Sequence, residues 1–107
     1  MSEAALEDAI RALAHPGRRA MLRLVWDEER PATELADAAG LSRSAASQHL
    51  KLLRDAGLIT VRVDATRRLY RADLVRVNQV ASFLDDFWAA PLGRLKAAAE
   101  KPRRRPS

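Results

Sequence analysis

The chain has 107 residues, no cysteine, 31% charged residues and a formal net charge of +5 at pH 7. That length accommodates one small domain with a modest core, and the lack of cysteine excludes disulfides, thiolate metal ligands and thiol redox switching. No apolar run approaches the roughly 20 residues needed to cross a bilayer, and the opening Met-Ser-Glu-Ala-Ala-Leu-Glu-Asp lacks the basic n-region of a secretory signal. A cytoplasmic location is expected.

Glu3 to Leu13 carries Leu6, Ile10 and Leu13 on one stripe and predicts an amphipathic first helix. His15-Pro16 interrupts the chain. Pro16 suits the first turn of a second helix running to about Glu28, with Ala20, Met21, Leu24 and Val25 inward. Arg30-Pro31 then separates this helix from Thr33 to Ala39, a short helical stretch ending at Gly40. Ser42 is a good N-cap for the next helix, because its hydroxyl can accept a bond from an orphan N–H of the first turn. In that helix Ala46, Leu50 and Leu53 share one side at i, i+4, i+7 spacing. Ser44, Gln48 and Lys51 lie opposite, with Arg43 and Ser47 on a flank. Two short helices joined by a Gly-containing turn, the second rich in Ser, Gln and Arg, have the form of a helix-turn-helix. Arginine suits guanine and glutamine suits adenine as bidentate partners, while Ser hydroxyls and Lys51 suit phosphates. Double-stranded DNA is therefore the expected partner.

Gly57 is placed to end the recognition helix as a C-cap. Leu58 to Val63 is rich in β-branched residues, with Ile59, Val61 and Val63 expected on a buried face. Asp64-Ala65-Thr66-Arg67 forms a tight connection, and Arg68-Leu69-Tyr70-Arg71 reads as the returning strand, with Tyr70 packing inward. A hairpin with arginines near its tip, directly after a recognition helix, is a wing that can lie along the DNA backbone or enter a minor groove. Charge placement agrees. Within residues 42–71, Arg43, Lys51, Arg54, Arg62, Arg67, Arg68 and Arg71 face only Asp55 and Asp64, a balance of +5. The rest of the body is acidic, a footprint suited to one nucleic-acid face.

After the wing, Leu74, Val77, Ala81, Leu84, Trp88 and Leu95 continue a 3/4 spacing through a long last helix, and Val80, Phe83, Phe87 and Leu92 widen that stripe. A helix apolar on more than one side needs a further partner. The first and last helices are the natural homodimer interface, through Leu6, Ile10, Leu13, Val80, Leu84, Phe87, Trp88 and Leu92, which sets two recognition helices on successive turns of a palindromic operator. Pro91 predicts a bend or break between Phe87 and Pro91, because proline removes a helical bond. Phe83, Phe87 and Trp88 either line an effector cavity or fill the dimer core. The stretch Lys101 to Ser107 is expected to be a disordered basic tail following a domain over 1–100.

The run Ala12-Leu13-Ala14-His15-Pro16-Gly17-Arg18-Arg19, then Glu34-Leu35-Ala36, Leu41-Ser42-Arg43-Ser44-Ala45-Ala46-Ser47-Gln48-His49-Leu50 and Leu53-Arg54-Asp55-Ala56-Gly57-Leu58-Ile59, resembles the ArsR/SmtB family of bacterial repressors. The likeness spans roughly residues 6–72, with the last helix matching more loosely. It implies a dimeric helical body with a winged helix-turn-helix, and many members release DNA when metal binds. The chain departs from the metal sensors at the ligands. Where the thiolate sensors place a Cys-x-Cys pair before the third helix, Pro31-Ala32-Thr33 stands here. Where other members use Asp and His pairs on the last helix, this one has Asp85 and Asp86 and no histidine. Adjacent carboxylates diverge by about 100° on a helix and cannot close a zinc shell alone. The aromatic-rich Phe83-Leu84-Asp85-Asp86-Phe87-Trp88 segment is similar to a subgroup without metal ligands. His15 stands where the resemblance more often shows Asp as the cap of the second helix, and is the poorer cap.

The fold expected is mainly α with a small β-hairpin wing (α+β), a winged helix-turn-helix of five helices dimerising through the first and last. Base and nearby phosphate contacts fall to Ser42, Arg43, Ser44, Ser47, Gln48 and His49, and backbone and wing contacts to Lys51, Arg54, Arg62, Arg67 and Arg68. No metal site and no cofactor is expected. Neither histidine pairs with a nucleophile or carboxylate at a recognisable spacing, so no enzyme is expected. The function expected is a DNA-binding repressor, metal-independent and autoregulatory. A metal- or small-ligand-responsive derepressor is the alternative within transcription, and a winged-helix protein-interaction module the alternative outside it.

Overall fold

The recognition helix organises the domain from its centre. In the computed structural model, which describes residues 2–100 apart from the side chains of Ala90, Leu92 and Glu100, the order is α1 (Glu3–Leu13), α2 (Pro16–Leu24), β1 (Arg30–Pro31), α3 (Ala32–Ala39), α4 (Arg43–Asp55), β2 (Ile59–Asp64), β3 (Arg67–Ala72) and α5 (Leu74–Glu100). The tail over 101–107 and the Leu92 side chain lie outside the described residues. Ala46, Leu50 and Leu53 of α4 are buried against Met21, Val25, Leu35 and Leu58, all 2% exposed or less. Each buried leucine, valine or methionine among them contributes about 1.5–3 kcal/mol. Among the described residues no helix is long and apolar enough to cross a membrane.

Local chemistry sets the boundaries. The Ser2 and Ser42 hydroxyls each accept a bond of 3.1 Å from a first-turn amide, starting α1 and α4. His15 caps α2 better than its residue type suggests. Its Nδ1 accepts the Gly17 amide at 3.0 Å. The α3–α4 turn is closed at Gly40, φ 66°, where the Leu41 amide reaches back to the Ala36 carbonyl at 2.9 Å. Gly57, φ 75°, ends the α4 segment the same way, with the Leu58 amide on the Leu53 carbonyl at 2.9 Å.

Several expectations need correction. The second helix stops at Leu24 rather than near Glu28. The Leu24 carbonyl accepts Arg30 Nε at 2.8 Å and the Val25 carbonyl accepts the Ala72 amide at 2.9 Å, so the groups that would continue the helix are engaged elsewhere. Arg30-Pro31 is not a mere separator but a third, edge strand. It pairs with β3 (Arg30 opposite Tyr70, Pro31 opposite Leu69), giving the order β1-β3-β2, and proline is tolerated on such an edge. Val63 is 66% exposed, because the hairpin outruns the body it packs on. The turn itself is Ala65-Thr66, between the paired Asp64 and Arg67, with Ala65 at φ 57°.

In α5, helix runs without a break through Pro91. Proline forfeits the bond to the Phe87 carbonyl, a cost of about 3 kcal/mol, and the helix formers around it, Ala89, Ala90 and Leu92, keep the helix continuous. Val80 is 2% exposed inside the protomer core, so it is not available for a dimer interface.

A methyl group at Gly57 would lie 3.1 Å from the Arg76 guanidinium in a left-handed backbone, whereas one at Gly40 would meet nothing within 4 Å. Urea unfolding should show both Gly57→Ala and Gly40→Ala destabilised by about 1–2 kcal/mol, with Gly57→Ala the more costly. Equal losses would assign the whole cost to the backbone.

Candidate nucleic-acid interface

With Ala46, Leu50 and Leu53 held inward, the outer face of α4 presents Arg43, Ser44, Ser47, Gln48 and Lys51, all exposed. Ser42 is exposed as well, with its hydroxyl oxygen engaged as the N-cap. These residues occupy the first three turns, on the side away from the core.

His49 lies elsewhere. Its ring turns toward α1 and α2, where Nδ1 accepts Arg18 Nη1 at 3.3 Å and the ring centroid lies 4.5 Å from that of His15. Burial first, then the charges of His15 and Arg18, hold the His49 imidazole below its ordinary 6.5. The sequence reading that put His49 among the outward contacts is corrected by this geometry. Its spacing puts it on the flank of the Leu50/Leu53 face, and the arginine of α2 draws it in.

The wing sorts its arginines by the pleat. Residues opposite one another across the ladder share a face, so Val61 with Tyr70 and Val63 with Arg68 form one face, and Arg62 with Leu69 and Asp64 with Arg67 the other. The first face looks toward α4. Between them opens a cleft of about 390 Å³ lined by Ser47, Leu50, Lys51, Arg54, Asp55, Arg68 and Tyr70. Tyr70 is 8% exposed and forms its floor. The sequence did not show this cleft, because it depends on the angle between hairpin and helix.

Arg62 is not a free wing cation. Its guanidinium clasps Glu29 with two bonds, Nε to Oε2 at 2.9 Å and Nη2 to Oε1 at 3.0 Å, and Arg71 Nη2 donates to the Asp27 carbonyl at 3.4 Å. The wing is thereby tied to the α2–β1 loop. Lys51 with Asp55 (3.8 Å) and Arg67 with Asp64 (3.7 Å) are long, exposed pairs that exchange readily. Arg43, Arg54 and Arg68 have no acidic partner among the described residues.

A helix-turn-helix with a polar outer row on its second helix, followed by an arginine-bearing hairpin, defines a winged helix-turn-helix DNA-binding protein. The comparisons with known proteins agree. A family profile for a helix-turn-helix domain matches residues 13–62. The transcriptional regulator Rv2034 of Mycobacterium tuberculosis is 38% identical over 84 residues, 78% of each chain. A crystal structure described as a possible transcriptional regulator for arsenical resistance superposes with a TM-score of 0.74 at 39% identity, covering 88% of this chain and 98% of that one. The homodimeric winged helix-turn-helix domain Mb0332 of Mycobacterium bovis, described as a possible ArsR-family regulator, gives 0.65 at 27% identity, covering 80% and 88%. The chain belongs to the ArsR/SmtB family. It is a DNA-binding transcription regulator and not an enzyme.

The Arg62 hydrogen bonds hold the Glu29 carboxyl below its ordinary 4.5. A depressed carboxylate favours the folded wing above the unfolded value, and that contribution is lost as pH falls through the folded value. Carboxyl NMR titration should place Glu29 below 4.5, and Arg62→Ala should raise it. A Glu29 titration unmoved by Arg62→Ala would show the clasp to be absent in solution.

Proposed function

We propose that the protein is a homodimeric, metal-independent repressor that binds a roughly palindromic operator, its own promoter included. The carrying observation is the pairing of one exposed polar row, Arg43, Ser44, Ser47 and Gln48, with the cationic cleft of Lys51, Arg54 and Arg68 beside it. The row has the dimensions and chemistry to read base edges in a major groove, and the cleft suits a backbone phosphate strand at its rim. A dimer seated on a promoter blocks it by occupancy alone.

Dimerisation is supported by the outer side of α5. Phe83, Phe87 and Trp88 are 38%, 59% and 48% exposed, with Phe87 and Trp88 in edge contact at 4.9 Å. Exposed aromatics in contact mark an interaction surface. Leu6, Ile10, Leu13 and Leu84 are half-buried at its inner margin, and the homodimeric Mb0332 domain has the same fold. Metal independence is supported by the sequence, which has Pro31-Ala32-Thr33 and the lone Asp85-Asp86 pair at the family's ligand positions.

The test is an anisotropy titration against the gene's own upstream DNA at two salt concentrations, repeated with Zn²⁺ and with a chelator. Specific binding unchanged by metal is expected. Binding abolished by Zn²⁺ would reject metal independence, and indifference between upstream and random DNA would reject autoregulation. Gln48→Ala should relax sequence preference by about 1–3 kcal/mol. Arg68→Ala should weaken all DNA alike and lower the salt slope by about one, while Arg62→Ala should leave the slope nearly unchanged. In sedimentation, Phe87→Glu should convert the dimer to monomer, and a persistent dimer would place the interface elsewhere.

A further inference from the structure

Three helices meet at one guanidinium. Arg18, in the first turn of α2, donates Nε to the Ala12 carbonyl and Nη2 to the Arg11 carbonyl at 3.4 Å. Both acceptors belong to the last turn of α1, where the Arg11 carbonyl also accepts the Ala14 amide at 3.2 Å and where the helix dipole favours a cation. Its remaining nitrogen, Nη1, donates to Nδ1 of His49 in α4 at 3.3 Å. Arginine has only donors, so the His49 Nδ1 must be the unprotonated, accepting nitrogen.

The surroundings sharpen this requirement. From α2, the His15 ring lies 4.5 Å from that of His49 and its own Nδ1 accepts the Gly17 amide. Gly17 brings the backbone close to both rings. A Cβ there would lie 3.1 Å from the His15 ring and 3.4 Å from His49 Nε2. From α1, the adjoining pocket is bordered by Asp8 and Arg11, which pair with each other at 3.4 Å. The nearest groups to His49 are thus a cation and a second imidazole. No carboxylate is hydrogen-bonded to it among the described residues.

We propose that Arg18 is a positioning residue for the recognition helix, tying the end of α1 to His49 of α4, and that protonation of His49 opens this tie. A proton on Nδ1 turns the acceptor into a donor facing another donor, and adds a positive charge beside a guanidinium. The link from the first helix to the helix that carries Ser47 and Gln48 is then lost, while the apolar anchors of α4 remain. The device makes the tie between the His49 turn of α4 and the end of α1 pH-dependent across the ordinary histidine range, while the apolar anchors keep the rotation of α4. Its consequence for DNA rests on α4 being the DNA-contacting helix. The tie itself is measured without DNA.

The sign follows from the geometry. A histidine that is disfavoured as a cation in the fold contributes full stability above its unfolded value of 6.5, and loses that contribution as pH falls below it. Ring NMR titration of the full chain should place His49 below 6.5, and Arg18→Gln should move it back toward that value. A titration at or above 6.5, or one unmoved by Arg18→Gln, overturns the proposal. The thermal midpoint of the wild type should fall between about pH 7.5 and 5.5, with loss of amide protection over 47–50. His49→Asn keeps an accepting oxygen near the Nδ1 position without a titrating proton, and should hold both nearly constant. Equal falls in wild type, His49→Asn and Arg18→Gln would also overturn it. As an independent arm, affinity for upstream DNA should drop several-fold over the same range in the wild type and stay flat in His49→Asn. If the proton-dependent differences in stability persist while no upstream DNA binds, the tie stands and the operator assignment fails.

Discussion

Burial of a single face of α4 governs what the rest of the molecule can do. Ala46, Leu50 and Leu53 span two helical turns and are each 2% exposed or less, packed among Met21, Leu35 and Leu58. Three anchors on one stripe fix both the rotation and the height of a helix. The outward direction of Ser44, Gln48 and Lys51 is therefore a consequence of core packing, not of any polar contact they make. Pre-set side chains lose little freedom on binding, which favours affinity. The wing inherits the same frame. Leu58 is buried directly after α4, its carbonyl accepts the Asp73 amide at 2.9 Å, and the Ala72 amide reaches the Val25 carbonyl at 2.9 Å, so hairpin and helix are set against one core.

Arginine serves two distinct purposes here, and composition alone cannot separate them. Arg18, Arg19 and Arg30 satisfy carbonyls at helix ends, at Ala12 and Arg11, at Leu13 (2.7 Å) and at Leu24 (2.8 Å). The planar fork makes arginine better suited to this than lysine, because one side chain reaches several acceptors in fixed directions. Arg62 closes on Glu29, and Arg71 on the Asp27 carbonyl. The basic balance of residues 42–71 therefore includes charges that hold the wing in place as well as charges open to a ligand. Arg43, Arg54 and Arg68, which have neither an acidic partner nor a tie to the α2–β1 loop among the described residues, lie on α4 and on the wing face turned toward it.

What could be read from the sequence was what depends on near neighbours in the chain. Helix periodicity, the Ser42 cap, the glycine stops at Gly40 and Gly57 and the alternation of the hairpin are all local, and the helix-turn-helix followed by a wing was legible from them. Residues joined over long separations were not. The strand Arg30-Pro31 has no period of its own and exists only because β3 passes beside it. The early end of α2 depends on bonds from Arg30 and Ala72. His49 looked outward because its position on the wheel is a flank, and only the arrival of Arg18, 31 residues away in sequence, decides its direction. The cleft between α4 and the wing is likewise a relation between elements.

The last helix shows why a broad apolar stripe was readable while its division of labour was not. A helix packed on its own domain buries a face of limited width. In α5 that face is Val77, Val80 and Leu84, of which Val80 is fully enclosed. Beyond Val80 no described side chain of the helix is buried, although Phe83, Phe87 and Trp88 follow within two turns. Spacing alone assigns all of these to one hydrophobic surface, because 3/4 periodicity widens smoothly around the wheel. The domain splits them, since Leu84 is the last described α5 residue packed against its core. The helix continues past that limit without a break, so Phe83, Phe87 and Trp88 are carried beyond the body on the same helix that packs Val77 and Val80 into it. A rigid apolar face projecting from a small domain is costly to leave in water, and a second such face, brought by another copy of the chain, has matching shape by symmetry. The same rigidity would fix the separation of two α4 helices, which is the property a palindromic DNA site requires.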